Sequence, residues 1–306
     1  MIEVENLTKR YGDRTAVNRV SFQVNPGTVT GFLGPNGAGK STTMRMIAGL
    51  DQPTAGRVRV NGRDYRNAQA PMAELGVLLE AKAVHPGRSA RDHLLVLAQT
   101  AGLGKARVDE VIEQVGLAAV AGRRVGGFSL GMGQRLGIAV ALLGKPRTIM
   151  LDEPVNGLDP EGVRWVRTLL RSLADQGCTV LVSSHLLGEM AETADRLVVI
   201  GRGQVIADST VEEFVAGMVA DAVVVRSPEA TRLRTLLSGP GVTVTADSED
   251  ALHVRGLPTD QIGRAAWQAN IPLLELSVAR GSLEEAFMQA TNDSTEFISA
   301  RQEAVR

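Results

Sequence analysis

The segment Gly34-Pro35-Asn36-Gly37-Ala38-Gly39-Lys40-Ser41 constrains this chain more than any other stretch. It satisfies G-x-x-x-x-G-K-[ST] at every fixed position, with an apolar strand expected at 29–33 before it and a helix at 40–50 after it. The chemistry needs these residue types. Glycines let the backbone turn tightly and point its N–H groups at phosphate oxygens, and the following helix adds the positive end of its dipole. Lys40 is placed to neutralise the β- and γ-phosphates, Ser41 to ligate magnesium and Thr42 to donate to the α-phosphate. A chance glycine turn before a helix is the competing explanation, and the strand–loop–helix context weighs against it.

A second segment supplies acids. Residues Thr148-Ile149-Met150-Leu151-Asp152-Glu153 form an apolar run ending in two adjacent carboxylates. Next to a phosphate cradle, Asp152 is expected to hold magnesium and Glu153 to polarise the attacking water. Taken alone, the pair could simply cap the next helix. His185 follows a buried strand expected at 179–184, from where it could reach the γ-phosphate. A lone histidine in such a place is more often structural or solvated.

The rest of the chain fits two domains, as 306 residues allow. Strands expected at 29–33, 57–61, 148–151 and 179–182 alternate with helices, which predicts an α/β core. The stretch 88–144 has helical periodicity and no clear strand, and reads as a helical insert. Residues 197–200 and 204–207 read as a hairpin, 211–221 as a linker, and 222–292 as a small α+β domain with an open sheet, followed by a polar tail over 293–306. Charge is balanced, 33 Lys and Arg against 34 Asp and Glu, which argues against a general polyanion binder. One cysteine, Cys178, excludes an intramolecular disulfide and fits a reducing compartment. No run is long enough to span a bilayer, and the opening residues, 1–10, read as a strand and a turn without the layout of a secretory signal, so any membrane role is expected to come through a partner.

These motifs, in this order, resemble the nucleotide-binding subunit of ATP-binding-cassette transporters over about residues 2–210. Gly157-Leu158-Asp159-Pro160 is similar to that family's D-loop, Ser183-Ser184-His185 to its switch histidine, and Phe128-Ser129-Leu130-Gly131-Met132-Gly133-Gln134-Arg135 to its signature segment. Tyr11 resembles the aromatic that stacks on adenine. The resemblance implies a fold: an α/β P-loop NTPase cassette with a helical insert, followed by the small α+β domain. It also implies ATP and Mg2+ as ligands and a head-to-tail dimer, with itself or a paralogous subunit, in which Ser129 and Gly131 reach the partner's γ-phosphate. Two departures stand out. Leu130 and Met132 replace a glycine and the glutamine of the usual Leu-Ser-Gly-Gly-Gln, and Glu80 stands where the family's Q-loop carries glutamine.

The ending Gly281-Ser282-Leu283-Glu284-Glu285-Ala286-Phe287 is similar to that of drug and antibiotic exporter ATPases whose permease is a separate polypeptide. That resemblance implies a place on the cytoplasmic membrane face, held by an integral-membrane permease docked on the insert and the loop near Glu80, with no nucleic-acid partner. The alternatives are a soluble cassette ATPase acting on ribosomes or DNA, and a non-catalytic scaffold. A single cassette without a long coiled coil argues against the first. The intact Lys40, Asp152, Glu153 and His185 argue against the second.

Overall fold

The structure, a computed structural model, describes residues 1–79, 84–218, 222–279 and 281–291. These fall into two compact units, one over residues 1–211, with 291 attached, and one over 212–290.

In the first unit, strands β1 (Ile2–Tyr11) and β2 (Arg14–Val24) form a hairpin, and β3 (Val29–Leu33) leads into helix α1 (Lys40–Ile47). Strand β4 (Ala55–Val60) returns to pair with β1. A one-turn helix α2 (Pro71–Glu74) and strand β5 (Leu75–Leu78) precede three helices, α3 (Ala90–Thr100), α4 (Lys105–Gln114) and α5 (Leu130–Leu142). Then come β6 (Thr148–Asp152), α6 (Pro160–Asp175), β7 (Thr179–Ser183), α7 (Leu187–Thr193), β8 (Arg196–Gly201) and β9 (Gln204–Thr210).

Two sheets result. The antiparallel one runs β2-β1-β4; the other runs β5-β6-β7-β3-β8-β9, parallel except for the antiparallel β9 at its edge. Strands β3 and β7 are buried at every residue, as expected where both faces of a parallel sheet are covered. Met44, Met46 and Ile47 of α1 pack into one core with Ile2, Leu7, Phe22 and Val60 of the small sheet and Phe32, Met150, Leu181 and Val198 of the large one. Helix α1 is thereby fixed between the sheets, and its first turn is presented at the carboxyl ends of the parallel strands. Such strand ends are where ligands bind in open α/β sheets.

Three expectations need correction. The opening residues were expected to form a strand and a turn, but they make a ten-residue strand. Bulges in its pairing with β2 break the period-two pattern that would have revealed it. Strands β2 and β5 were not anticipated. The segment 211–221, expected as a linker, is a helix over its first part, α8 (Val211–Met218), with Val211 and Phe214 buried. The apolar residues Val211, Phe214, Val215 and Met218 have helical spacing. Residues 88–144 carry α3, α4 and α5 and no strand.

The second unit holds β10 (Ala222–Arg226), α9 (Ala230–Leu237), β11 (Thr243–Ala246), β12 (Ala251–Arg255), α10 (Thr259–Gln268), β13 (Glu275–Ala279) and α11 (Leu283–Thr291). Its four strands form an antiparallel sheet in the order β11-β12-β10-β13. Val223, Val225, Leu252 and Val254 pack against Leu233, Leu237, Ile262 and Ala266 of α9 and α10, which gives this unit its own core.

Candidate functional site

The register of the parallel sheet assembles the site. Asp152 pairs with Ser183 across β6 and β7, and Ser183 pairs with Phe32 across β7 and β3. The loop after β3, the acids ending β6 and the histidine after β7 therefore leave the sheet side by side. A cavity of about 590 Å³ opens there, lined by Tyr11, Arg14, Ala16, Pro35, Asn36, Gly37, Gly39, Lys40, Ser41, Thr42, Asp152 and Glu153. Gly34 and Ala38 complete the loop behind this lining.

Gly39 caps α1 at φ 102°, and a Cβ there would lie 2.6 Å from the Ala16 carbonyl oxygen, so only glycine fits. Lys40 Nζ donates to the carbonyl oxygens of Gly34 (2.5 Å) and Pro35 (3.3 Å) within its own loop. Burial pulls the Lys40 ammonium below the ordinary lysine value, and the charges of Glu153 and Asp152 partly offset this. An anion entering the cavity would favour its charged form further.

Ser41 Oγ donates to Asp152 Oδ2 at 3.1 Å. The other carboxylate oxygen, Oδ1, accepts from the Ser183 hydroxyl. A hydroxyl beside one carboxylate is an oxygen-only donor set, suited to a hard cation that takes its remaining ligands from phosphate and water. Among the described residues, no three His, Cys, Asp or Glu side chains gather as a self-sufficient metal cage.

Glu153 has the left-handed φ of 51°, uncommon for a residue other than glycine. Its Oε2 lies 2.7 Å from His185 Nδ1 and also accepts from the His185 main-chain N–H at 3.3 Å. The glutamate side chain is mostly covered, at 26% exposure, whereas the histidine is open to solvent at 55%. His185 is thus joined to the site through Glu153.

Ser129, Gly131 and Asp159 are not among the residues that line the cavity. Ser129 caps α5, its hydroxyl accepting from Met132 N–H at 3.2 Å, and Asp159 caps α6, accepting from Gly162 N–H at 2.8 Å. Gly131 approaches the main chain of Gly157. Tyr11 is half exposed, with Lys9 Nζ 5.1 Å from its ring centre and its hydroxyl 3.5 Å from Asp51 Oδ2. Glu80 lies outside the described residues. Arg14, Ala16, Gln134 and Ser183 touch the cavity or its acids and were not singled out in advance. For the first two, their closeness to Tyr11 in sequence was an available signal.

A glycine loop opening a helix between parallel strands, with acids on the neighbouring strand end, is the arrangement of P-loop nucleoside triphosphatases. The family model for ABC transporters matches residues 17–156, and a domain family of unknown function matches residues 221–284. A bacitracin transport ATP-binding protein of Bacillus licheniformis is 41% identical over 209 residues, covering 67% of this chain and 68% of the relative. A daunorubicin resistance ATP-binding protein of Streptomyces coeruleorubidus is 36% identical over 303 residues, covering 95% of this chain and 96% of the relative. A dimeric bacterial ABC transporter cassette of known structure superposes with a TM-score of 0.64 at 25% identity, over 69% of this chain and 98% of that one. The chain belongs to the ATP-binding subunits of ABC transporters, and it is an ATPase. The ribosome or DNA alternative finds no support in these relatives.

Proposed function

We propose that this subunit hydrolyses ATP in the cavity above α1 to drive export of an antibiotic or similar compound through a separate membrane permease. Bacitracin transport by one relative and daunorubicin resistance in the other support that cargo class. No helix among the described residues is long and apolar enough to cross a membrane, which fits a motor that works on a membrane partner. The dimeric cassette of similar fold supports pairing of two such subunits.

In this reading Lys40 and the loop N–H groups hold the β- and γ-phosphates, Thr42 reaches the α-phosphate, and Tyr11 stacks on the base. Ser41 and Asp152 would hold Mg2+, which when bound neutralises charge on the phosphate oxygens. Glu153 polarises water toward the γ-phosphate, and His185 orients its carboxylate. Ser129, Gly131 and Asp159 face the partner's nucleotide across the dimer, and the insert with the loop at Glu80 receives the permease.

The observation that carries the proposal is the 2.7 Å contact between Glu153 and His185 at the rim of the cavity that holds Lys40, Ser41 and Asp152. Phosphate release by the full chain with its permease is the test. Glu153→Gln keeps the shape but loses the base, so the rate should fall about 100- to 10,000-fold. Undiminished turnover would overturn the assignment.

A further inference from the structure

We propose that Gln134 is a positioning residue for hydrolysis, through which helix α5 sets the main chain of Glu153. The inference rests on the reading of Glu153 as the residue that activates water.

Gln134 sits on the second turn of α5, the helix that Ser129 caps, and is only 4% exposed. Glutamine is rarely so buried unless its amide has a use. Here Nε2 donates to the Glu153 carbonyl oxygen at 2.9 Å. That carbonyl also accepts from Asn156 N–H at 3.2 Å, within the turn that follows. On its other side, the Glu153 N–H donates to the Ser183 hydroxyl at 3.0 Å and to the Ser183 carbonyl at 3.3 Å.

The conformation being held is a costly one. At φ 51° the Cβ of Glu153 crowds its own carbonyl, so residues other than glycine rarely adopt this conformation. A strained residue persists where its surroundings over-determine it. Ser183 fixes the amide side from β7, and Gln134 fixes the carbonyl side from α5. Rotation of this peptide would swing the Glu153 side chain away from His185, so the contact that orients the carboxylate depends on both anchors. Helix α5 packs on β5 and β6 as well, so its second turn is a firm support for this bond.

The experiment measures ATP turnover against MgATP concentration for the full chain with its permease. It compares the parent with Gln134→Met, which keeps length and volume without a donor, and with Gln134→Glu, which sets an acceptor against the carbonyl. Bound nucleotide is counted in each sample, so that rates refer to folded sites. Both variants should lose about 3- to 10-fold in kcat, the scale of one neutral hydrogen bond, with KM within about twofold of the parent. Gln134→Glu should be the slower of the two. Glu153→Gln runs alongside. Parent-like kcat in both Gln134 variants beside an inactive Glu153→Gln would overturn the positioning role and leave the site reading standing. A loss that tracks the count of bound nucleotide would also overturn it, because it would mark Gln134 as a residue of stability alone. Full activity in Glu153→Gln would remove the site reading itself.

Discussion

Ser183→Ala tests how the two acids are held, and the structure sets its size. Ser183 is fully buried, and its hydroxyl donates to Asp152 Oδ1 while accepting from Glu153 N–H at 3.0 Å. A hydrogen bond to a charged partner is worth about 1.5–3 kcal/mol, and no solvent reaches this position to replace it. The bond to Glu153 N–H costs less to remove, because the Ser183 carbonyl still accepts from the same donor at 3.3 Å. The Asp152 bond therefore dominates, and at about 1.4 kcal/mol per factor of ten the total is roughly 10- to 150-fold. It should divide between two readouts. An Asp152 carboxylate left with Ser41 Oγ as its side-chain donor raises the Mg2+ concentration for half-maximal turnover, and a loosened Glu153 lowers kcat at saturating Mg2+. The assay is phosphate release by the full chain with its permease, titrated with Mg2+ at saturating ATP. Ser184→Ala is the control, since that hydroxyl accepts from Leu186 N–H at 3.0 Å and neither donates to nor accepts from the two acids. A Ser183→Ala protein with Mg2+ requirement and kcat both within twofold of the parent would refute the reasoning. A lowered melting temperature with unchanged kinetics would make Ser183 a residue of stability only.

Two further outcomes follow from the local chemistry. Asp159 caps α6 through Gly162 N–H, so Asp159→Ala should cost about 1 kcal/mol in urea unfolding and Asp159→Ser should recover most of it, whatever either does to turnover. Burial pushes the Cys178 thiol up to about 11, from an ordinary value of 9.0. The folded chain thus keeps the proton longer than the unfolded one. The stability this contributes is complete below about pH 9 and is lost as pH rises toward 11. Unfolding free energies of the parent should fall more steeply across that window than those of Cys178→Ala, and the native thiol should resist a disulfide reagent at pH 8.

The cradle and the acid pair were legible because local sequence alone determines them: a loop must turn on glycine, and a strand buried on both faces must read as an apolar run. Strand β2 alternates only over Val20, Phe22 and Val24, and the left-handed Arg19 puts Val17 out of step with them, so the alternating run is too short to reveal an eleven-residue strand. Strand β5 has four residues, too few to show any period. Gln134 and Ser183 were hidden for another reason. Their partners are Glu153 and Asp152, and only the packing of α5 and the register of β6 with β7 bring them together. Ser129 and Asp159 show the converse. The resemblance assigns Ser129 to a partner's nucleotide and Asp159 to the D-loop, whereas in the single chain each already satisfies a helix N-terminus, and a capping oxygen retains lone pairs for a second donor.

Packing also accounts for the most conspicuous departure from the usual signature. Leu130 is exposed at its outer face, yet its side chain lies over Gly157, where an added Cβ would come within 2.1 Å of Leu130 Cδ2. The leucine is accommodated because residue 157 has no side chain, and Gly157 takes a φ of 74° that other residues rarely adopt. The turn before Asp159 and the first turn of α5 therefore fit one another as a pair. A larger residue at 157 would displace the leucine and, with it, the start of the helix that carries both Ser129 and Gln134. Leu130 thus replaces a glycine without loosening this part of the site, and it ties the signature segment to the loop that follows Glu153.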